Sequence, residues 1–201
     1  MNNQQNHNQN SSQNNNPVSF QVSFQATPNP ATLRFQISQP IASQSFDFTN
    51  ATEAQRSPLA SKIFGFPWTS AVFIGSDFVT VTKQDWVDWD ILAEPLSGLI
   101  REHLERGEAV EAVIVEHQAS DVLDTDSDVV KKIKQVLNTD IRPIVAMDGG
   151  DIVYSSFTHG VLAIHMKGAC SGCPSSTATL KEGIEVRMRE LIPEVLEVVS
   201  V

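Results

Sequence analysis

Cysteine is nearly absent. The 201 residues hold two, both in Gly168-Ala169-Cys170-Ser171-Gly172-Cys173-Pro174-Ser175-Ser176. Two thiols in one short motif argue against the disulfide framework of a small secreted protein and for a reducing compartment. Long apolar runs are missing too: nothing approaches the 18 or so consecutive apolar residues of a membrane span. Bases are scarce, with 14 Lys and Arg against 24 Asp and Glu and a formal charge of −10. A nucleic-acid partner is therefore not expected, nor is a membrane. The first 16 residues are mostly Asn and Gln, without lysine, arginine or any apolar stretch. They lack the basic start and apolar core of a signal peptide and the arginines of a mitochondrial presequence. Such a tract cannot bury apolar surface, so residues 1–17 read as a disordered tail. The expected localisation is cytoplasmic, in a bacterium by default.

What is present begins with the Cys-x-x-Cys pair. It supplies two thiolates, whereas a tetrahedral zinc site or an iron–sulfur cluster normally takes four protein ligands. One chain cannot close such a site with thiolates alone; two chains can. The same spacing serves a thioredoxin-like redox pair, and two inert thiols are a further reading. The five histidines (His7, His103, His117, His159, His165) are scattered without metal spacing. Pro174 suits a first helical turn, whose N–H groups would point at the cysteines and lower thiolate pKa. That effect would stabilise an anionic cluster or activate a redox thiol alike, and does not separate them.

Apolar content of 41% supports folded cores. Val18, Phe20, Val22 and Phe24 alternate with polar residues, as do Leu33, Phe35 and Ile37 after Pro28-Asn29-Pro30, which predicts two paired strands. Phe46 and Phe48 mark a third. Ser57-Pro58 opens a helix ending near Gly65, and Ala71–Ile74 with Phe78–Thr82 flank a hairpin turn. A helix is predicted from about Asp88 to Arg106, stopped by Gly107. Residues 108–127 read as an acidic linker, with an extended segment over Glu108–Glu116. Beyond it, helical spacing of Val129, Ile133, Val136 and Leu137 precedes strands at Ile152–Phe157 and Val161–Lys167. The cysteine loop, a helix to about Leu191 and a strand at Val195–Val199 follow. The fold class is α+β: two small α+β domains, residues 18–107 and 128–201, the second of order α-β-β-α-β with the cysteines on a loop. Asp148-Gly149-Gly150-Asp151 reads as a tight turn rather than a catalytic carboxylate pair. His165 reads as an exposed strand residue. Trp68, Trp86 and Trp89 read as core or interdomain anchors, and Ser175 and Ser176 as helix caps or donors to cluster sulfurs.

Ile141-Arg142-Pro143, Asp148-Gly149-Gly150-Asp151, the Cys170–Cys173 motif and Leu180-Lys181-Glu182-Gly183-Ile184-Glu185 together resemble the C-terminal domain of the NifU/Nfu iron–sulfur scaffold family, over residues 126–201. Thr27-Pro28-Asn29-Pro30, Ser57-Pro58-Leu59-Ala60 and Asp77-Phe78-Val79-Thr80-Val81-Thr82-Lys83 resemble that family's N-terminal domain, over residues 22–107. Trp86 or Trp89 falls where the family tends to place a tryptophan. The resemblance implies that Cys170 and Cys173 ligate a 4Fe–4S cluster bridging two protomers. It implies a carrier rather than an enzyme, a homodimer on cluster binding. Its partners would be apo iron–sulfur clients and upstream cluster-assembly factors, and its N-terminal domain would recognise them. The rivals are a thiol–disulfide oxidoreductase using the same pair and a dimeric zinc-binding module.

Overall fold

The computed structural model describes residues 19–110, 122–123, 125–171 and 174–201. The predicted tail at residues 1–17, most of the predicted linker, the extended segment beyond Val110, and Gly172 and Cys173 lie outside the described residues.

The first part of the chain builds one antiparallel sheet. Strands β1 (Val22–Ala26), β2 (Thr32–Ile37), β3 (Phe46–Phe48), β4 (Thr69–Ile74) and β5 (Phe78–Lys83) stand in the order β1-β2-β5-β4-β3. Register puts Leu33 opposite Val81, Phe35 opposite Val79, and Val79 opposite Ile74. These side chains share one face, because successive residues of a strand point to opposite sides. That face packs against α2 (Pro58–Phe64) and α3 (Trp89–Glu105), whose Leu59, Ile63, Leu96 and Ile100 are buried with it. Ser57 caps α2: its hydroxyl accepts from Ala60 N–H and donates to Val110 O at 2.8 Å. The chain leaves α3 through Gly107, at φ +67°, a left-handed backbone that suits glycine. Between β3 and α2 a short helix α1 (Ala51–Ala54), capped by Asn50, was not apparent from periodicity, since four residues show no helical repeat.

Three expectations need correction. The first strand starts at Val22 and does not include Phe20, Val18 lies outside the described residues, and Phe24 is exposed although its ring still approaches Phe35 at 6.2 Å. Trp68 is a core residue and Trp89 packs against the core, its Nε1 donating to Pro30 O at 3.3 Å, whereas Trp86 is 67% exposed. Residues Glu108–Val110 form no strand; Val110 instead packs on the first core.

The second part contains α4 (Asp128–Val136), a π-helical turn over Leu137–Ile141, α5 (Arg142–Met147), β6 (Gly150–Thr158), β7 (Val161–Gly168), α6 (Pro174–Leu191) and β8 (Glu197–Ser200). Ser127 accepts from Val130 N–H as the cap of α4. Pro143 explains the break between α4 and α5, since it has no N–H to continue the ladder. Strands β6 and β7 form a hairpin, closed by His159-Gly160 with both residues at positive φ, and β8 joins β7 in parallel after the α6 crossover. Ile133, Leu137, Ile152, Leu162, Ile164, Met188 and Val198 make a second core.

The two cores touch through the second face of the first sheet. Arg34, Phe73, Phe78 and Thr80 point there, away from Leu33, Val72, Val79 and Val81. Thr80 Oγ1 donates to Gly149 O at 2.7 Å, and Ser45 Oγ donates to Asp151 Oδ2 at 2.7 Å. Phe73 and Thr80 are 2% exposed, so this face is a packed interface and not a solvated one.

Candidate functional site

Strand β7 ends at Gly168, and the chain turns sharply into Ala169 and Cys170. Gly168 sits at φ +64°, where a Cβ would lie 2.7 Å from Gly149 O and 2.9 Å from Phe73 Cγ. Glycine is required there on both counts. The turn is tied down by Ala169 N–H donating to Gly149 O at 3.1 Å and by Ser171 N–H and Oγ donating to Gly168 O. Thr177 Oγ1, on α6, donates to Cys170 O at 3.0 Å.

The Asp148-Gly149-Gly150-Asp151 run is the other wall. It turns α5 into β6 with Gly149 at φ +85°. Gly150 lies directly under the cysteine: a Cβ there would overlap Cys170 Sγ and come within 2.6 Å of Lys167 O. Asp151 is structural, but not through local N–H groups alone. Its carboxylate accepts a two-pronged bond from Arg142, Nε to Oδ1 and a terminal nitrogen to Oδ2, both at 2.7 Å, plus Ile152 N–H at 2.8 Å and the Ser45 hydroxyl. Such paired, charge-assisted bonds fix geometry as well as adding energy. The sequence presented Arg142 and Asp151 as parts of two separate motifs; their pairing is what sequence reasoning missed, and opposite charges flanking a nine-residue interval were its only signal.

Cys170 is placed on a turn, yet its side chain is 5% exposed and packs with Ile152 and Ile184 in the second core. Though the residue lies on a turn, the small residues around it (Gly149, Gly150, Gly168, Ala169) let the backbone close over the sulfur. The electrostatics also run against expectation. Burial, then the nearby Asp148 and Asp151 carboxylates, push the Cys170 thiol up to about 12. Burial disfavours the thiolate and two like charges add to it, outweighing any help from the start of α6. Cys173 lies outside the described residues, as do the side chains of Ser175 and Ser176. Among the described residues no group of three or more His, Cys, Asp or Glu gathers to hold a metal ion. His165 is exposed on β7, its Nδ1 2.9 Å from Val201 O and away from the cysteine turn.

Beside Cys170 opens a pocket of about 880 Å³, lined mainly by Ile141, Ile144, Val145, Leu180 and Ile184, with Pro28 contributed by the first sheet's loop. Ile144 is 59% exposed at its edge. Among the described residues no helix is long and apolar enough to cross a membrane.

Two family descriptions match the chain. "Scaffold protein Nfu/NifU N terminal" covers residues 22–107 and "NifU-like domain" covers residues 133–199. The chain is 44% identical over 179 residues to NifU-like protein 5, mitochondrial, of Arabidopsis thaliana, covering 85% of this chain and 64% of that protein. It is 37% identical over 179 residues to the NFU1 iron-sulfur cluster scaffold homolog, mitochondrial, of Drosophila persimilis, covering 88% and 64%. The chain thus spans just under two thirds of the length of these relatives. A solved NifU-like protein from Saccharomyces cerevisiae is 27% identical, with TM-score 0.44, over 57% of this chain and all of that one. The mitochondrial names of the plant and fly proteins overturn the bacterial cytoplasmic setting read from residues 1–16. A reducing compartment is all that two lone cysteines require, and the cytosol is not the only one. With an Nfu N-terminal domain followed by a NifU-like domain, in the order that the motifs implied, the chain belongs to the NifU-like/Nfu scaffold family.

Proposed function

We propose that this protein carries an iron–sulfur cluster as cargo, a 4Fe–4S unit held between two copies of the chain by Cys170 and Cys173 of each. The observation that carries the reading is the thiol count. This chain has two cysteines, while a cluster of this type takes four thiolates. Two chains supply that set. Transfer is then redox-neutral ligand exchange: a client thiolate bonds to iron as a Cys170 or Cys173 thiolate leaves and takes up a proton. Upstream assembly factors load the cargo, apo iron–sulfur proteins receive it, and the N-terminal domain recognises one or the other. The mitochondrion fits as the setting, as the relatives' names suggest. No substrate is turned over, so the role is not enzymatic.

Burial of Cys170 bears on both readings alike: a disulfide exchanger needs an accessible, low-pKa attacking thiolate, and a cluster needs a thiolate that reaches iron, so the thiol count and the family favour the carrier, not the state of this thiol. Anaerobic reconstitution with iron and sulfide is the test. Roughly one four-iron cluster per two chains is expected, with a shift of the apo protein to a dimer. Four irons per single chain, zinc alone after anaerobic purification, or a monomeric loaded form would refute the shared site. Catalytic disulfide reduction well above a free-dithiol control, with no cluster transfer to an apo enzyme, would favour the oxidoreductase.

A further inference from the structure

The first domain grips the second on both sides of Cys170. On one side, Thr80 Oγ1 donates at 2.7 Å to Gly149 O of the Asp148–Asp151 turn, the same carbonyl that accepts from Ala169 N–H. On the other, Asn29 Nδ2 donates to Ser171 O at 3.4 Å. Phe73 of β4 packs where a side chain on Gly168 would have to be, and Pro28 reaches the pocket beside the thiol. Thr80 is 2% and Asn29 4% exposed. Thr80 adds nothing to the core of its own sheet, since it faces away from Val79 and Val81. A buried hydroxyl pointed out of its own domain needs a partner, and that partner is the floor of the cysteine turn.

A sulfur that is 5% exposed cannot reach iron held jointly with a second chain unless the turn moves. The hydrogen bonds that resist such movement come from the first domain as well as from α6. We propose that Thr80 and Asn29 are positioning residues through which the N-terminal domain holds the Cys170 turn closed in the empty protein and releases it on loading. The inference rests on the proposed carrier role only for what is loaded; the closure itself is independent of cargo.

The test uses the full-length empty chain bearing Cys173→Ser, so that Cys170 alone reports. N-ethylmaleimide labelling of Cys170 is followed by mass, with amide hydrogen exchange of Gly168–Ser171 as a second readout. Thr80→Val removes one bond and should speed labelling about fivefold, the population change that loss of one such bond produces. Thr80→Ser, which keeps the hydroxyl, should label within twofold of its parent. Asn29→Ala should also label faster, by less, and serves if the Thr80→Val chain fails to fold. Equal labelling and exchange in folded Thr80→Val and Asn29→Ala chains would overturn the proposal, because burial would then belong to the second domain alone. In the chain with both cysteines intact, Thr80→Val should take up iron and sulfide faster than the parent. Faster labelling without faster uptake in a parent that does load would also overturn it. A parent that never loads, with Thr80→Val still labelling faster, would leave the closure standing and remove the carrier function.

Discussion

Gly150→Ala is the sharpest perturbation the cysteine turn offers. The added methyl has no free direction: it would overlap Cys170 Sγ and approach Lys167 O to 2.6 Å and Cys170 Cβ to 3.2 Å. Two of these three obstacles are the cysteine itself and the third is a strand carbonyl paired with β6, so no flexible side-chain end can yield. Overpacking a closed core costs about 1–3 kcal/mol, and a site where the backbone must shift belongs at the upper end, about 3 kcal/mol. For a chain of this length each kcal/mol moves the melting temperature by about 2–4 °C, so a drop of roughly 6–12 °C is expected if the chain melts as one unit. Gly183→Ala is the control. It lies on α6 with nothing within 4 Å of the new methyl, so it should gain the ordinary helical preference of alanine, about 0.5–1 kcal/mol. Thermal unfolding by circular dichroism of the empty chains gives both numbers. A Gly150→Ala protein that melts with the wild type, or above Gly183→Ala, would show that the turn does not pack on the thiol as described.

Asp151→Asn leaves Arg142 facing a neutral amide. Asp151 is buried and Arg142 about one quarter exposed, so a cost of about 2 kcal/mol is expected in urea unfolding, below that of a fully buried pair; a loss under about 0.5 kcal/mol would contradict the two-pronged bond. Ser57→Ala removes a buried cap and the bond to Val110 O and should cost about 1–2 kcal/mol by the same measurement. His103, on α3, is buried with Nε2 3.0 Å from Ala109 O, and burial lowers its pKa below 6.5. The unfolded chain therefore takes up the proton first, and stability that is complete above about pH 6.5 should fall as pH drops below it. Subtracting the His103→Gln profile from that of wild type between pH 8 and 5 isolates this part, and a flat difference would count against the burial. In the folded chain bearing Cys173→Ser, alkylation of Cys170 at pH 8 should be far slower than in urea, because its thiol is pushed up to about 12; equal rates would mean an accessible thiolate.

Strand and helix positions were legible in the sequence wherever a periodic apolar pattern met a turn signal. Leu33, Phe35 and Ile37 declared β2, Ser57-Pro58 declared the start of α2, and Gly107 the stop after α3, because local backbone and burial preferences act over a few residues. The two cysteines and their glycines, read with the surrounding motifs, identified the family for the same local reason. What residues 1–16 suggested about compartment is overturned by the mitochondrial names of the plant and fly relatives. Only the tertiary structure decided the state of the thiol. Cys170 is buried, its pKa raised, because Gly150 lies beneath it and Asp148 and Asp151 lie near it, 19 to 22 residues earlier in the chain. Asp151 is held by Arg142 across the α5–β6 turn and by Ser45 from the other domain. Thr80 reaches Gly149 across 69 residues. Contacts of that separation leave no period or spacing in the sequence: they depend on which sheet face meets which turn, and that is settled only when both cores have packed.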